Sequence, residues 1–390
     1  MKTVRVFIIL CISTLASMMG MGILLPILPI YARDLGASGT MLGIVFSSFA
    51  LTMALFNPIV GRLSDRLGYK RLIVLGLGFH IPVALSYIIA TKSSHLILIR
   101  LAEGMLFAMV QTVSMAYAGS IASKDKEGSY MGVFNTFIYF GLGIGPLLGG
   151  ILSDLFSIRM PFYAMAASMT VALFLVVFFV PGEVGEEKER EYKELLKSLP
   201  PIKMVLRSSF MKGMIIYSFI ISLGQSGLFA FLPIVTQREQ ISTGRIGILT
   251  SIIMLLAGLL QTPFGYLANI ANKLLLVTIG VLLIAVDLAY IPLCSSFWSF
   301  LLLSVIAGLG GAICVPAASA MVVRGGKSLG LGFALGIFNL AMGLGMIAGP
   351  VLSGLIMDHF GLDQIFYVSA ILFILAAVAI YHFIKDIKNL

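Results

Sequence analysis

The chain has 390 residues, a mean hydropathy of +1.06, 59% hydrophobic residues and 11% charged ones, where a soluble domain carries about 25%. A soluble fold is excluded. The net charge of +9 does not by itself point to nucleic acid, because cations also orient membrane spans. The three cysteines, Cys11, Cys294 and Cys314, lie inside apolar runs and suggest no disulfide framework, and the four histidines have no metal-ligand spacing.

A helix needs about 20 apolar residues to cross a bilayer. Six such stretches follow one another at about 6–31, 40–61, 71–91, 95–122, 129–153 and 160–181, and six more at about 211–235, 244–268, 274–293, 297–323, 329–357 and 364–384. They are long and continuous, unlike the short alternating strands of a barrel. The predicted fold is an all-α membrane protein with twelve transmembrane helices. The first stretch follows Met-Lys-Thr-Val-Arg, as a signal peptide would. It outruns the ~7–15 residues of a signal core, so it reads as a retained span.

The loops are asymmetric. Of 26 cations, five (Arg33, Lys92, Arg159, Arg238 and Arg245) fall on one side and Arg100 falls inside a span, which leaves 20 for the other side. Positive charge marks the cytoplasmic face, so both termini are expected there, in a multi-pass protein of the inner or plasma membrane.

The sequence repeats itself at an offset of 204 residues. "LPI" at 28–30 returns at 232–234, and Gly132, Asn135, Gly141, Gly145, Pro146, Gly150 and Asp154 return as Gly336, Asn339, Gly345, Gly349, Pro350, Gly354 and Asp358. Two six-helix bundles in the same orientation are expected, 1–181 and 211–390, joined by a cytoplasmic linker, 182–210. Parallel repeats of this kind place a substrate site between the halves, near the midplane. In the linker, Tyr192, Leu195, Leu196 and Leu199 share a helical face before Pro200-Pro201. That pattern suits a short amphipathic surface helix or a solvated linker.

Between the second and third spans stands "GRLSDRLGYKR", residues 61–71. It resembles the loop signature of the major facilitator superfamily, with Gly61, Leu63, Asp65, Arg66, Gly68, Lys70 and Arg71 matching. The second half keeps a worn copy, with Asn269 where Asp65 would repeat. Asp65 ends a helix, where a carboxylate can bond free amides at the start of a neighbour; Arg66 and Arg71 can pair with it. The resemblance implies a conformational latch formed by Gly61, Asp65, Arg66, Gly68, Lys70 and Arg71, with helix 11 as the neighbour. Orientation charge alone is the plainer reading.

In the fourth span, Arg100 and Glu103 stand three apart on one face, a pairing distance. Charge inside a bilayer is costly and faces a cavity or a partner. Arg100 and Gly104 resemble the superfamily's helix 4 motif, whose Arg is linked to proton transfer. Glu103 departs from the Gln often found there and supplies a carboxylate. It is either a proton-coupling group or half of a static ion pair.

The fifth span carries Gly132, Gly141, Gly145, Pro146, Gly149 and Gly150. The spacing resembles the antiporter motif of twelve-helix drug:proton antiporters. Glycines allow close helix approach, and Pro146 permits a bend. Two further acidic residues are proton-coupling candidates: Asp287 in the ninth span and Asp34 at the outer end of the first. Met18, Met21, Phe107, Gln111, Asn135, Gln225, Phe229 and Asn339 are candidate cavity residues, since Met and aromatic side chains suit variable apolar ligands.

No complete phosphate-binding loop, Gly, four residues, then Gly-Lys-Ser, is present, since the Gly-Lys-Ser at 326–328 has Met321 where the first glycine would stand, which argues against ATP as the energy source. No nucleophile–base–metal constellation marks an enzyme. The expected protein is a secondary transporter that exports amphipathic or hydrophobic molecules in exchange for protons, without cofactor, metal or nucleic acid, as a monomer in the bilayer. A lipid or glycolipid exporter or flippase, and a facilitator of another small solute, share the fold. A receptor or scaffold that transports nothing is the reading from another class.

Overall fold

The computed structural model describes residues 2–121, 127–181, 208–325 and 331–384. The linker residues 182–207, with the expected amphipathic face, lie outside the described residues. Among the described residues twelve α-helices follow one another: α1 Lys2–Asp34, α2 Gly39–Leu67, α3 Tyr69–Ser86, α4 Ser93–Ser120, α5 Glu127–Leu155, α6 Met160–Phe179, α7 Ser209–Arg238, α8 Thr243–Ile270, α9 Lys273–Tyr290, α10 Phe297–Gly325, α11 Leu331–Phe360 and α12 Leu362–Ile384. Each contains a segment long and apolar enough to cross a membrane. The protein is a multi-pass membrane protein.

Short connections need special backbone. Gly68 alone links α2 to α3 with φ 86°, and Gly361 alone links α11 to α12 with φ 100°. Only glycine adopts that region without strain. The 204-residue step recurs in the helices. α2, α3 and α4 begin at 39, 69 and 93, and α8, α9 and α10 at 243, 273 and 297. Even the 3₁₀ turn after α3, Tyr87–Ile89, returns after α9 as Ile291–Leu293.

Two compact units result. The first holds α1, most of α2, α3 to α6 and the start of α8 (Ser242–Leu255). The second holds the tip of α2 (Ser38–Gly43), α7, the rest of α8 and α9 to α12. In the first unit α1 packs most extensively on α5, and in the second α7 packs most extensively on α11.

The glycines explain that closeness. A Cβ at Gly141 would lie 2.6 Å from the Leu15 carbonyl oxygen, one at Gly149 2.6 Å from that of Ile23, and one at Gly145 would collide with that of Met19. The repeat does the same: Gly345 lies against the Phe219 carbonyl and Gly349 against that of Leu223. Gly132 departs from the expectation of close approach, because a Cβ there would meet nothing within 4 Å. α5 also runs through Pro146 as one continuous helix.

A buried ion cluster as candidate functional site

The polar centre of the first unit is built from α3, the turn after it and α4. Arg100 Nη1 donates to Glu103 Oε2 at 2.8 Å. The Tyr87 hydroxyl donates to the same oxygen at 2.6 Å. His80 Nε2 lies 3.7 Å from the other oxygen, Oε1. All four residues are buried: Arg100 is 4% exposed, His80 1%, Tyr87 and Glu103 0%.

Aromatic rings hold the cluster in place. The Arg100 guanidinium stands over Phe49 of α2 at 4.2 Å and near Phe46 at 5.6 Å, a cation–π contact in a desolvated setting. Phe49 meets Phe107 of α4 edge to face at 5.2 Å. Tyr87 stacks on Phe162 of α6 at 4.9 Å, and its carbonyl accepts from the Tyr31 hydroxyl of α1 at 2.8 Å. Five helices, α1 to α4 and α6, and one turn therefore fix a single carboxylate.

The cluster keeps hydrogen-bonding capacity in reserve. Glu103 Oε1, Arg100 Nε and both ring nitrogens of His80 make no hydrogen bond among the described residues. A buried polar atom without a partner is costly, so the arrangement is chemically unsaturated. A small approach of His80 to Oε1 would make a hydrogen bond there, and a proton held by Glu103 would have a second base nearby.

Two other carboxylates cap helices. Asp358 of α11 accepts from the amides of Gly39 and Thr40 at 2.7 Å each, and from the Thr40 hydroxyl at 2.6 Å. Asp154 of α5 accepts from the Gly244 amide at 2.9 Å. The first contact lies inside the second unit and the second inside the first. Each meets a helix N-terminus, where free amides and the helix dipole favour an anion.

The major facilitator superfamily profile matches residues 10–244 and 219–389. The chain belongs to the major facilitator superfamily. It is 30% identical, over 97% of both chains, to an uncharacterised MFS-type transporter of Methanocaldococcus jannaschii. It is 26% identical to multidrug resistance protein 2 of Bacillus subtilis, over 90% of this chain and 89% of that one. Among solved structures, a bacterial homologue of the human lysosomal transporter Spinster matches with TM-score 0.81 at 13% identity, over 98% of this chain and 97% of that one. The chain is thus a transporter of this superfamily.

The superfamily motifs fall at different places in the structure. In the loop signature, Gly61 faces open space, Gly68 makes the turn and Lys70 Nζ donates to the Val177 carbonyl at 2.8 Å. Arg66 and Arg71 are exposed, and the Asp65 side chain lies outside what the structure describes. Capping chemistry of the kind expected of Asp65 is seen at Asp154 and Asp358.

Other candidates disperse. Asp34 is exposed at the end of α1. Asp287 is buried in α9, with Oδ2 unpartnered among the described residues. Met18 and Met21 are buried, and Met18 packs against Gly141. Phe107, Gln111, Asn135, Gln225 and Phe229 are half-buried and Asn339 is exposed. His80, Tyr87, Phe46 and Phe49 escaped the sequence reading. The signal for two of them was there: His80 and Tyr87 are seven apart, two helical turns along one face.

Proposed function

We propose that this transporter exports amphipathic or hydrophobic small molecules by alternating access, driven by proton exchange at Glu103. The observation that carries the reading is one fully buried carboxylate, held by Arg100 and Tyr87 and with an unpartnered oxygen facing His80. A static ion pair would be better served by saturated hydrogen bonds. The route to substrate runs through rings: Phe107, half-buried, touches Phe49, and Phe49 underlies Arg100. A ligand that moves Phe107 would move the counter-charge of Glu103. The similarity to a multidrug resistance protein supports a lipophilic substrate, and the cation-rich loops support cytoplasmic termini. Asp287 is the second candidate for the coupling site.

The test is transport in proteoliposomes with an imposed pH gradient, screened over lipophilic cations, neutral drugs and labelled lipids. Glu103→Gln keeps size and polarity but cannot exchange a proton. Purified Glu103→Gln protein is expected to bind substrate and to lose gradient-driven accumulation. Accumulation that still follows the gradient at the wild-type rate would remove Glu103 from the coupling role.

A further inference from the structure

The end of the first unit that gathers the start of α1, the start of α3 and the end of α6 contains a cavity of about 510 Å³. Its lining includes Arg5, Lys70, Phe178, Phe179, Val180 and Pro181. Two cations from different helices thus share one cavity, with no carboxylate among the described residues that line it. Arg5 has no ion-pair partner among the described residues. Lys70 spends one N–H on the Val177 carbonyl at 2.8 Å, and an ammonium has three to give. Like charges gathered this way repel unless an anion with several acceptor oxygens joins them.

The rest of the lining says what the anion is attached to. Phe178 is 68% exposed although apolar. Val171, Phe174 and Phe178 form an exposed stripe on α6, and Val4, Ile8 and Ile12 another on α1. Both stripes run from the level of the cations into the spans. The spans of α1, α3 and α6 begin or end here, at Val4, Tyr69 and Phe179, the depth at which lipid phosphates lie. Basic pockets between helices at that level suit lipid head groups.

We propose that this cavity is a binding site for an anionic phospholipid, its phosphate held by Arg5 and Lys70 and its chains laid against the stripes of α1 and α6. The site is independent of the transported substrate. Because Lys70 also belongs to the loop signature, occupancy would place a lipid on a residue of the proposed latch.

The experiment is native mass spectrometry of the purified full-length protein released from nanodiscs of equal phosphatidylglycerol and phosphatidylcholine. Each basic residue near a membrane surface favours anionic lipid roughly fivefold. The wild-type protein is therefore expected to retain phosphatidylglycerol over phosphatidylcholine by more than about tenfold, and the Arg5→Gln, Lys70→Gln double variant to fall within about twofold. Arg5→Lys with Lys70→Arg keeps both charges and is expected to keep the preference. The proposal is overturned if the neutral pair retains the lipid as wild type does, or if the charge-keeping pair loses it. It is also overturned if inorganic phosphate binds at Arg5 and Lys70 in calorimetry while no lipid is preferred; the cavity is then a free-anion site.

Discussion

The α3–α4 hairpin and its repeat, α9–α10, share a frame and differ in what they bury. At the positions of His80, Tyr87, Arg100 and Glu103 the second hairpin has Ile284, Ile291, Ser304 and Ala307, all buried. Phe49 is matched by Ile253. The close helix approach is common to both: a Cβ at Gly76 would lie 2.8 Å from a Val110 side-chain carbon and 3.4 Å from the Leu106 carbonyl oxygen, and one at Gly280 would lie 2.6 Å from the carbonyl oxygen of Gly310, the repeat of Leu106. A hairpin of this geometry therefore closes with aliphatic residues. Because buried ion pairs must overcome desolvation, the first hairpin's cluster adds nothing that packing requires. The difference separates scaffold from function, and Asp287 is the reverse case, a carboxylate where the first hairpin has Val83.

The sharpest way to break that comparison is to convert one hairpin toward the other. Glu103→Ala leaves Arg100 buried without its counter-charge and is expected to cost ~3–5 kcal/mol of stability. Adding Arg100→Ser, which copies both residues of the repeat, removes the orphaned charge. The double variant is expected to recover part of the loss while remaining uncoupled from the pH gradient. Thermal unfolding of both proteins in one detergent checks the first half, and proteoliposome transport the second. A double variant less stable than the single would mean that Arg100 is structural in its own right.

A smaller effect tests what the halves share. Gly145→Ala and Gly349→Ala each drive a methyl into a carbonyl of the facing helix, that of Met19 or of Leu223. Overpacking of this kind typically costs ~1–3 kcal/mol. The two variants are expected to lower the melting temperature by similar amounts, whereas Gly132→Ala, with open space around it, should leave it unchanged or raise it. Unequal losses at 145 and 349 would show that the repeat is closer in sequence than in packing.

The architecture was open to reading because membrane physics writes it in composition. Twelve apolar runs predict twelve helices, and the ungapped 204-residue offset predicts matching starts such as 39 and 243. The Arg100–Glu103 contact was legible because residues three apart on a helix must meet. The seven-residue spacing of His80 and Tyr87 hints that they share a face, but their partner Glu103 lies on another helix, and no local spacing announces that contact. Met18 illustrates the converse. Its polarizable side chain suits a ligand cavity, but burial is set by which face α1 turns to α5, and a uniformly apolar helix does not reveal that face. The loop signature suggested one capping carboxylate, Asp65. The two seen, Asp154 and Asp358, stood in the repeat without a role, because capping depends on where a distant helix begins.

Those caps give the smallest contrast. They are repeats of each other, yet among the described residues Asp358 accepts three hydrogen bonds from Gly39 and Thr40 and Asp154 a single one from Gly244. Part of the asymmetry lies in the capped helices: Thr40 of α2 offers a hydroxyl, while its repeat in α8 is Gly244, which has none. Loss of a capping side chain costs ~0.5–2 kcal/mol. Asp358→Ala is expected near the top of that range and Asp154→Ala near the bottom. Amide hydrogen exchange reads each locally, at Gly39 and Thr40 for the first and at Gly244 for the second. Asp358→Asn keeps one acceptor oxygen and should fall between wild type and Asp358→Ala. Equal acceleration at both caps would mean that the helix dipole, common to the two, outweighs the count of hydrogen bonds. The Thr40→Gly variant would then decide the matter: if hydrogen bonds govern the difference, it should bring the Asp358 cap down toward the strength of its repeat.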